Sequence, residues 1–420
     1  MCKDILKTEQ KRVILHCDMN NFYASVECML EPNLRDKCVA VAGNANDRHG
    51  IILAKNMKAK AFGVSTGETI WQATQKCKDL VVVPPHYEQY LKFSSLAREI
   101  YLRFTDMVEP YGMDECWLDV TGSSIYGNGE EIAEKIRQTI KYELGLTVSI
   151  GVSFNKIFAK LGSDLKKPDA ITVLKKNSFK EKIWHLPAGE LLGVGKATKR
   201  LLDKHFILTI GELANTDDNF LKHHFGINGL RLKAFANGLD TSLVTNHETQ
   251  NPMKSIGHGI TTIRDLENPA EVWCVILSLV QDIGSKLIKY HKKATGISIT
   301  IKDNQLFSKQ WQTKLPFPTQ SASELAKNAF ELFQNSYVWT NDVRSVTVTA
   351  ISLTGENDNL QLDLYSDINS IKKRENLDLA VDNIRTRFGK NAIKNAVLCK
   401  DIKLAKNIDT GVIMPTGMVN

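Results

Sequence analysis

Two adjacent carboxylates at the start of a strand-like run place the strongest constraint on how this chain can fold. In the stretch YGMDECWLDV, residues 111–120, the pair Asp114 and Glu115 precedes an alternation of apolar and polar residues that predicts a strand. Two adjacent acids are usually a solvated turn, which is the alternative here. Because neighbouring strand residues point to opposite faces, both carboxylates can meet at one site only if a turn relaxes the pleat. Tyr111 and Gly112 supply such a turn signal, so we expect the acids at the beginning of a strand.

A third carboxylate follows an apolar run near the N-terminus. The run Val13–Cys17 predicts a strand that is broken at Asp18, and a helical stretch begins near Phe22. An acid in this place is often only the N-cap of the helix, which is the alternative. Together with Asp114 and Glu115, Asp18 gives three carboxylates at strand ends. Two Mg²⁺ ions need few protein ligands, the rest being water and substrate phosphate, so the set predicts phosphoryl or nucleotidyl transfer.

Length and composition set broad limits. The 420 residues are 43% hydrophobic and 24% charged, which is typical of a globular chain of about two to four domains. The N-terminus has no apolar signal region and no segment is apolar enough to span a membrane, so we expect a cytoplasmic protein without a membrane partner. The eight cysteines show no metal-ligand spacing, and a net charge of +7 hints only mildly at a polyanionic partner.

Four motifs give the chain a specific resemblance. In chain order they are DMNNFYASVE, AKNMKAKAFGV, YGMDECWLDVTGS and SIGVSFNKIFAKLGSDLKKP. In order and spacing they resemble the successive motifs of the Y-family DNA polymerases, and within that family the bacterial UmuC-type branch. The resemblance covers roughly Val13 to Leu353, and the remaining tail more weakly.

This resemblance implies an α+β multi-domain fold of the right-hand polymerase type. The palm and fingers carry the chemistry, a helical helix-hairpin-helix thumb follows, and a little finger with βαββαβ order grips DNA. The implied boundaries are palm and fingers 1–169, thumb 170–240, linker 241–253, little finger 254–354 and a C-terminal tail 355–420.

The resemblance also implies roles for the acids. Asp18 and Asp114 would bridge two Mg²⁺ ions, for which Mn²⁺ can substitute. Glu115 would hold the ion nearer the primer, and the backbone carbonyl of Met19 would complete the shell of the ion on the nucleotide. Carboxylate and carbonyl oxygens are hard ligands that suit Mg²⁺.

Seven residues would contact the incoming deoxynucleoside triphosphate, namely Asn21, Phe22, Tyr23, Leu53, Met57, Lys60 and Lys167. Tyr23 matches the steric gate that excludes a ribose 2′-hydroxyl, although a core aromatic is the alternative. Lys60 and Lys167 match positions that neutralise the triphosphate, and two solvated lysines are the alternative. Met57 stands where many relatives carry tyrosine, and Lys60 where many carry arginine, so we expect modest nucleotide affinity.

The thumb region contains the stretch LLGVGKATKRLL. Its pattern resembles a helix-hairpin-helix, in which Gly193 and Gly195 let backbone N–H groups approach a DNA phosphate at a helix N-terminus beside Lys196. An ordinary helix turn is the alternative. The stretch FGINGLRLKAFANGLD follows as the second thumb element of the family, and residues 241–253 are polar and aperiodic, as a linker would be.

The next hundred residues alternate between strand and helix patterns. The predicted elements are a strand at 255–263, a helix at 269–291, a strand at 295–301, a strand near Trp311, a helix at 322–333 and a strand at 344–353. This order matches the little finger. Phosphate contacts are predicted at Lys254, Arg264, Lys302 and Arg344, for which solvated surface charges are the alternative.

A short motif follows the last predicted strand. Gln361, Leu362, Leu364 and Tyr365 of QLDLYSD resemble the peptide by which bacterial polymerases dock on the sliding clamp, with the leucine and aromatic side chains as anchors. We therefore predict a sliding clamp as a partner, beside primer-template DNA. The sequence leaves open whether an accessory protein is needed.

The prediction from the sequence is a template-directed polymerase of the lesion-bypass type, with low fidelity, no proofreading and a role in DNA repair and the SOS response. A nucleotidyl cyclase could use the same carboxylates, but the thumb and little finger would then have no purpose. A catalytically inactive DNA-binding accessory protein is the non-enzyme alternative. The intact Asp18, Asp114, Glu115 and Lys167 speak against it.

Overall fold

The computed structural model describes residues 12–44, 50–249, 252–355, 368–389 and 391–399. The chain divides into two compact units, whose main boundary lies between residues 251 and 252. Within the described ranges, no helix is long and apolar enough to cross a membrane.

The described part of the first unit contains eight strands and ten α-helices. The strands are β1 (Ile14–Met19), β2 (Val39–Ala42), β3 (Ile52–Lys55), β4 (Val81–Val83), β5 (Val108–Pro110), β6 (Glu115–Asp119), β7 (Val148–Ser153) and β8 (Ile171–Val173). The helices are α1 (Phe22–Leu30), α2 (Met57–Ala61), α3 (Ile70–Lys76), α4 (Tyr87–Leu102), α5 (Gly129–Leu144), α6 (Lys156–Leu165), α7 (Phe179–Ile183), α8 (Lys196–Lys204), α9 (Ile210–Asn215) and α10 (Asp218–Ala236).

A five-stranded sheet forms the centre of this unit, with the strand order β5-β6-β1-β7-β8. The central strand β1 pairs antiparallel with β6 on one side and with β7 on the other. Every residue of β1 and β7 is buried, which requires cover on both faces of the sheet. The helices α5 and α6 both pack against β7. The sheet is therefore a rigid base for side chains at the ends of its strands.

A smaller sheet with the order β3-β2-β4 forms a separate layer with α2 and α3. Asn56 caps α2 by accepting a hydrogen bond from the Ala59 N–H, and Thr69 and Gln72 form a capping box at the start of α3. These caps fix where the two short helices begin. The layer carries three of the residues predicted to contact the nucleotide, Leu53, Met57 and Lys60.

The helices α7 to α10 do not form a core of their own. Their buried side chains, such as Leu202 and Leu232, pack in one cluster with Ile157, Phe158 and Leu161 of α6. The strand β8, which lies in the region assigned to the thumb by sequence, pairs with β7 of the large sheet. The predicted thumb and the helix α6 are therefore coupled through shared apolar packing.

The first half of the predicted linker is packed on the first unit. The Thr245 N–H donates to Glu109 Oε2 at 2.8 Å, and Arg12 donates to the Ser242 carbonyl at 2.7 Å. Val244 is 1% exposed. The polar composition of residues 241–249 suggested a loose connection, but one apolar side chain and a few backbone hydrogen bonds are enough to hold it against the sheet.

The second unit begins with the predicted alternation of strands and helices. Its elements are β9 (Ser255–Leu266), α11 (Pro269–Lys289), β10 (Lys292–Asp303), β11 (Ser308–Thr319), α12 (Ala322–Ser336), β12 (Val343–Gly355) and α13 (Ile368–Phe388). The first six confirm the βαββαβ order. The four strands form an antiparallel sheet with the order β11-β10-β12-β9, and α11 and α12 cover one face with a large apolar core.

The helix α13 was not predicted from the sequence. It packs on the second unit mainly through charged and polar side chains: Arg374 pairs with Glu324, and Lys293 lies 3.3 Å from Glu375. Its apolar residues do not form the clear stripe by which an amphipathic helix is recognised. Pairing with charges on α12 and β10 therefore fixes a helix that hydrophobic periodicity does not indicate.

We predict that Gly151 is essential for the close packing of α6 on β7. A Cβ atom at this position would overlap the Ala159 carbonyl oxygen and lie 2.6 Å from the Ser163 nitrogen. Gly151→Ala should therefore lower the free energy of unfolding by about 1–3 kcal/mol, measured by chemical denaturation. Gly122→Ala is the control, because a Cβ there meets nothing within 4 Å. Equal stability of Gly151→Ala and wild type would contradict this packing.

Candidate active site

The large sheet brings the three predicted acids together. Asp18 is the fifth residue of β1, and its register partner across the sheet is Glu115, the first residue of β6. Asp114 lies in the bend before β6, and its carbonyl accepts a hydrogen bond of 3.0 Å from the Met19 N–H. The bend is closed by the Tyr111 and Gly112 N–H groups, which both donate to the Glu115 carbonyl. This is the turn that two adjacent carboxylates need in order to face one site.

The alternative in which Asp18 caps the first helix is wrong. The residue at the N-cap of α1 is Asn21, which has a left-handed backbone with φ of 49° and makes no side-chain cap. Asp18 is 5% exposed, lies within β1, and directs its carboxylate to lysine side chains of the first unit. Helix capping therefore does not explain why Asp18 is buried.

Two lysines from α6 and the loop after it neutralise the acids. Lys160 Nζ lies 3.2 Å from Asp18 Oδ2 and 2.8 Å from Glu115 Oε1. Lys167 Nζ lies 2.8 Å from the same Asp18 oxygen, and both ammonium groups also contact Asp164, at 3.3 and 2.9 Å. Lys167 was predicted as a site residue, whereas sequence reasoning missed Lys160 and Asp164. The available signal was their spacing, since Lys160, Asp164 and Lys167 share one side of a largely buried helix and its C-terminal extension.

The loop that carries Lys167 is held at several points. The Asp169 N–H donates to Asn20 Oδ1 at 2.8 Å, and the Asp169 carboxylate accepts from Arg137 and Lys141, each at 2.7 Å. Asn20 is buried, and its amide donates to Ser149 Oγ on β7. These contacts fix the loop relative to β1, so that Lys167 is directed toward Asp18.

The electrostatics of the three acids differ strongly. Burial, together with the negative charges of Asp18 and Glu115, raises the pKa of Asp114 to about 7. Burial also raises the pKa of Asp18, although Lys160 opposes this. For Glu115, burial alone would raise the pKa, but the His16 imidazole, whose Nε2 lies 3.6 Å from Glu115 Oε2, and the Lys160 ammonium hold it at about 2. The cluster thus contains one firmly ionised acid and two acids whose ionisation is opposed.

The donor set fits a divalent cation in its chemistry. Bound Mg²⁺ would relieve the repulsion between these closely spaced carboxylates, and all the side-chain donors are hard oxygens. In the part of the chain that the structure describes, no three His, Cys, Asp or Glu side chains are spaced to hold a metal ion. The Lys160 ammonium instead lies between Asp18 and Glu115. A cation at this point would therefore compete with Lys160 for the same oxygens.

The predicted gate residue lies beside the acids. Tyr23 is in the first turn of α1, is half-buried, and its hydroxyl lies 3.5 Å from Met113 Sδ. Burial and the nearby Asp114 charge raise the pKa of Tyr23 to about 12, so the phenol is neutral at pH 7. Asn21 precedes it as the helix cap, and Phe22 is buried at 3% exposure. Tyr23 and the carboxylates thus line one site.

The remaining residues that were predicted to contact the nucleotide lie on the small sheet and on α2. Leu53 is half-buried on β3, whereas Met57 and Lys60 are exposed on α2. Lys55, which sequence reasoning missed, contacts Thr66 Oγ1 at 2.9 Å, and its pKa is lowered by burial and by the charge of Lys60. Two ammonium groups are therefore close together here, which favours a polyanionic ligand.

The predicted DNA contacts are distributed over both units. In the first, Gly193 has a φ of +94° that favours glycine, and Gly195 is the N-cap of α8, which begins at Lys196. The segment before them is a single 3₁₀ turn, Ala188–Glu190, rather than an α-helix. In the second unit, Lys254 and Lys302 are exposed and Arg344 is half-buried. Arg264 is engaged in an ion pair with Glu271, so its charge is already partly neutralised.

The predicted clamp motif, Gln361, Leu362, Leu364 and Tyr365, lies outside the described residues.

Two family models match the chain. Residues 17–164 match the impB/mucB/samB family, and residues 253–364 match the C-terminal domain of the same family. A DNA polymerase IV of Acetivibrio thermocellus is 49% identical over 93% of this chain and 98% of its own length. A DNA polymerase IV 1 of Bacillus subtilis is 36% identical over 93% of this chain and 94% of its own length. A solved structure of a Y-family DNA polymerase chimera superposes with a TM-score of 0.73 at 23% identity, covering 84% of this chain and all of the chimera.

The chain belongs to the impB/mucB/samB family of Y-family DNA polymerases. The right-hand polymerase fold that the sequence predicted is confirmed.

The raised pKa of Asp114 predicts a pH-dependent cost to stability. The pKa of Asp114 is about 7 in the folded protein, above the value of 3.8 in the unfolded chain. The folded state therefore holds this proton more tightly. The resulting contribution to stability is fully present below pH 3.8 and is lost as the pH rises toward 7. In the presence of a chelator, the melting temperature of Asp114→Asn minus that of wild type should therefore increase from pH 5 to pH 7 and level off above it. Differential scanning fluorimetry measures this difference.

Asp119→Asn is the control for this titration, because Asp119 lies at the far end of β6 and its carboxylate accepts from the Thr121 N–H. An Asp114→Asn difference that is independent of pH would contradict the assigned electrostatics of Asp114.

Proposed function

We infer that this chain is a template-directed DNA polymerase of the lesion-bypass type, which adds deoxynucleotides to a primer 3′ end. The observation that carries this inference is the convergence of Asp18, Asp114 and Glu115 at the ends of β1 and β6, next to Tyr23 and Lys167, in a chain of this family. Low fidelity and the absence of proofreading are expected from the same family.

We propose that the three acids are the catalytic ligands. Two Mg²⁺ ions bound there would activate the primer hydroxyl and neutralise the triphosphate. Asp18 and Asp114 would each supply oxygens to both ions, Glu115 would help to hold the ion that activates the primer hydroxyl, and the Met19 carbonyl at the end of β1 would complete the ligand set. The sheet fixes these groups before substrate arrives, because β6 is paired with β1 over its whole length beside the site.

The lysines have complementary roles in this proposal. Lys167 and Lys60 neutralise the triphosphate, with Lys55 as an additional positive charge near Lys60. Lys160 balances Asp18 and Glu115 in the absence of substrate, since their negative charges raise its pKa against the effect of burial. Lys160 and Lys167 therefore favour the ionised form of acids whose ionisation is opposed by burial and mutual repulsion.

The second unit has a surface suited to a DNA backbone. The sheet face opposite α11 and α12 carries small polar residues: Gly257 and Gly259 of β9 lie against the side chains of Thr349 and Thr347 of β12. The large apolar core of this unit lies on the helix-covered face. We propose that this face, with Lys254, Lys302 and Arg344, contacts phosphates, as do Gly193, Gly195 and Lys196 at the N-terminus of α8.

A sliding clamp is the proposed protein partner. The proposal rests on Gln361, Leu362, Leu364 and Tyr365, which follow the second unit's last strand in the sequence. A clamp that encircles DNA would raise the effective concentration of the polymerase at the primer end without any new contact to DNA.

We predict that the double substitution Asp114→Asn, Glu115→Gln abolishes primer extension and leaves DNA binding intact. Loss of the cation ligands removes most of the rate, because metal-assisted transfer supplies several kcal/mol of transition-state stabilisation. Gel-based extension assays measure the rate, and fluorescence anisotropy measures primer-template binding. Asp119→Asn with Glu130→Gln changes the net charge equally and is the control. Extension by the site variant within tenfold of wild type would refute the assignment.

We predict that Leu364→Ala, Tyr365→Ala spares extension of a short unclamped primer but removes stimulation by a loaded clamp. The affinity of such a peptide concentrates in a few buried anchors, so the loss should exceed tenfold in Kd. Surface plasmon resonance with immobilised clamp measures binding, and Ser366→Ala is the control in the same segment. Clamp binding by the double variant equal to that of wild type would show that the motif is not the docking peptide.

A further inference from the structure

Three tyrosines form a compact group behind the proposed sugar gate. Tyr23 of α1 stacks on Tyr90 of α4, with ring centroids 4.2 Å apart and an angle of 7° between the ring planes. Tyr87, one turn before Tyr90, meets both rings edge-on, at 6.1 Å from Tyr23 and 5.8 Å from Tyr90. One face of the Tyr23 ring is therefore covered by Tyr90.

Tyr90 is fixed more firmly than the gate itself. It is fully buried, whereas Tyr23 is half-buried. The Tyr90 hydroxyl donates a short hydrogen bond to the Glu27 carboxylate, and the His86 ring nitrogen lies 3.0 Å from both Glu27 oxygens. Glu27 is 5% exposed, so this carboxylate is held by its two partners in the interior.

Apart from the stack on Tyr90, the contacts of the Tyr23 side chain are weak. Its hydroxyl meets the thioether of Met113 at 3.5 Å, which is a weak acceptor, and Phe22 approaches it at a tilted 5.8 Å. The ring is thus positioned mainly by the stack on Tyr90. Burial and the nearby Glu27 raise the pKa of Tyr90, which keeps the phenol protonated as a donor.

We propose that Tyr90, anchored by Glu27 and His86, is a positioning residue that sets the position of the Tyr23 ring and thereby the discrimination against ribonucleotides. The inference rests on the proposed function of Tyr23 as the sugar gate. It assigns part of the sugar selectivity to a buried residue of α4 that does not itself touch the nucleotide.

The Tyr23 ring can exclude a ribose 2′-hydroxyl only if the ring cannot move away from the sugar. A Tyr23 ring that leans on Tyr90 has no space behind it, because interiors are close-packed. Removal of the Tyr90 ring would leave a cavity into which Tyr23 can turn, and a ribose 2′-hydroxyl would then find room. Deoxynucleotides, which need no such room, should be affected less.

The test compares single-nucleotide incorporation of a deoxynucleotide and the matching ribonucleotide, as the ratio of their kcat/KM values. Tyr90→Leu should lower this ratio about three- to tenfold, the effect expected for loss of one aromatic stack. Tyr90→Phe, which keeps the ring, should retain most of the selectivity. Tyr23→Ala should lower the ratio further, and Tyr23→Ala with Tyr90→Leu should equal Tyr23→Ala alone, because Tyr90 acts through Tyr23.

The control for general destabilisation is Ile100→Ala. Ile100 is 1% exposed on the same helix, about 15 Å further along α4, and its loss should leave the ratio unchanged. Melting temperatures are measured for all variants. Tyr90→Met, which fills much of the volume without a ring, replaces Tyr90→Leu if the latter does not fold.

The outcomes separate the two assignments. If Tyr23→Ala lowers the ratio but Tyr90→Leu and Tyr90→Met leave it at the wild-type value, the positioning role is refuted while the gate stands. Independent, multiplicative effects in the double variant would also refute it. If Tyr23→Ala leaves the ratio unchanged, the gate assignment itself fails, and the positioning role fails with it.

Discussion

The structure of the first unit depends on holding three acids close together in a partly buried position. Asp18 and Glu115 face each other across β1 and β6, and Asp114 is brought beside them by the bend before β6. Such a group is unstable by itself, since desolvation and mutual repulsion both oppose ionisation. Lys160 and Lys167 offset this repulsion, and the fold around the sheet places them there.

Much of the surrounding architecture follows from this requirement. The helix α6 must lie close to the sheet for Lys160 to reach the acids, and Gly151 permits that approach. The same helix shares its apolar core with α7 to α10. The loop after α6 is fixed through Asn20 and Asp169, which directs Lys167. The helix that supplies a counter-charge to the acids is thus also the helix on which the proposed thumb packs.

The sequence was sufficient for the features that depend on local pattern or on a distinctive motif. The strands that carry Asp18 and Glu115, the start of α1 at Phe22 and the βαββαβ order of the second unit follow from hydrophobic periodicity and turn residues. The predicted break of the first strand at Asp18 is wrong, because β1 continues to Met19. Lys160 was missed because its role depends on where α6 packs, which is a tertiary property.

Other features could not be predicted for similar reasons. The sequence around Tyr90 indicates only a buried aromatic residue in a helix. Its proposed positioning role depends on the stack with Tyr23, which the structure shows. The helix α13 is held by charge pairs such as Arg374 with Glu324 rather than by an apolar stripe. Arg264 was predicted to contact phosphate, but periodicity gave no sign that Glu271 would pair with it. Contacts between side chains of different secondary-structure elements decide all three cases.

The most direct test of the central claim is primer extension by the purified chain on an undamaged template and on a template with a single lesion. With Mg²⁺ and the four deoxynucleoside triphosphates, we expect template-directed extension on the first and incorporation opposite or beyond the lesion on the second. A chain that binds primer-template DNA but incorporates no nucleotide with either Mg²⁺ or Mn²⁺ would contradict the account. It would indicate that the buried acids and their lysines serve a DNA-binding protein rather than a polymerase.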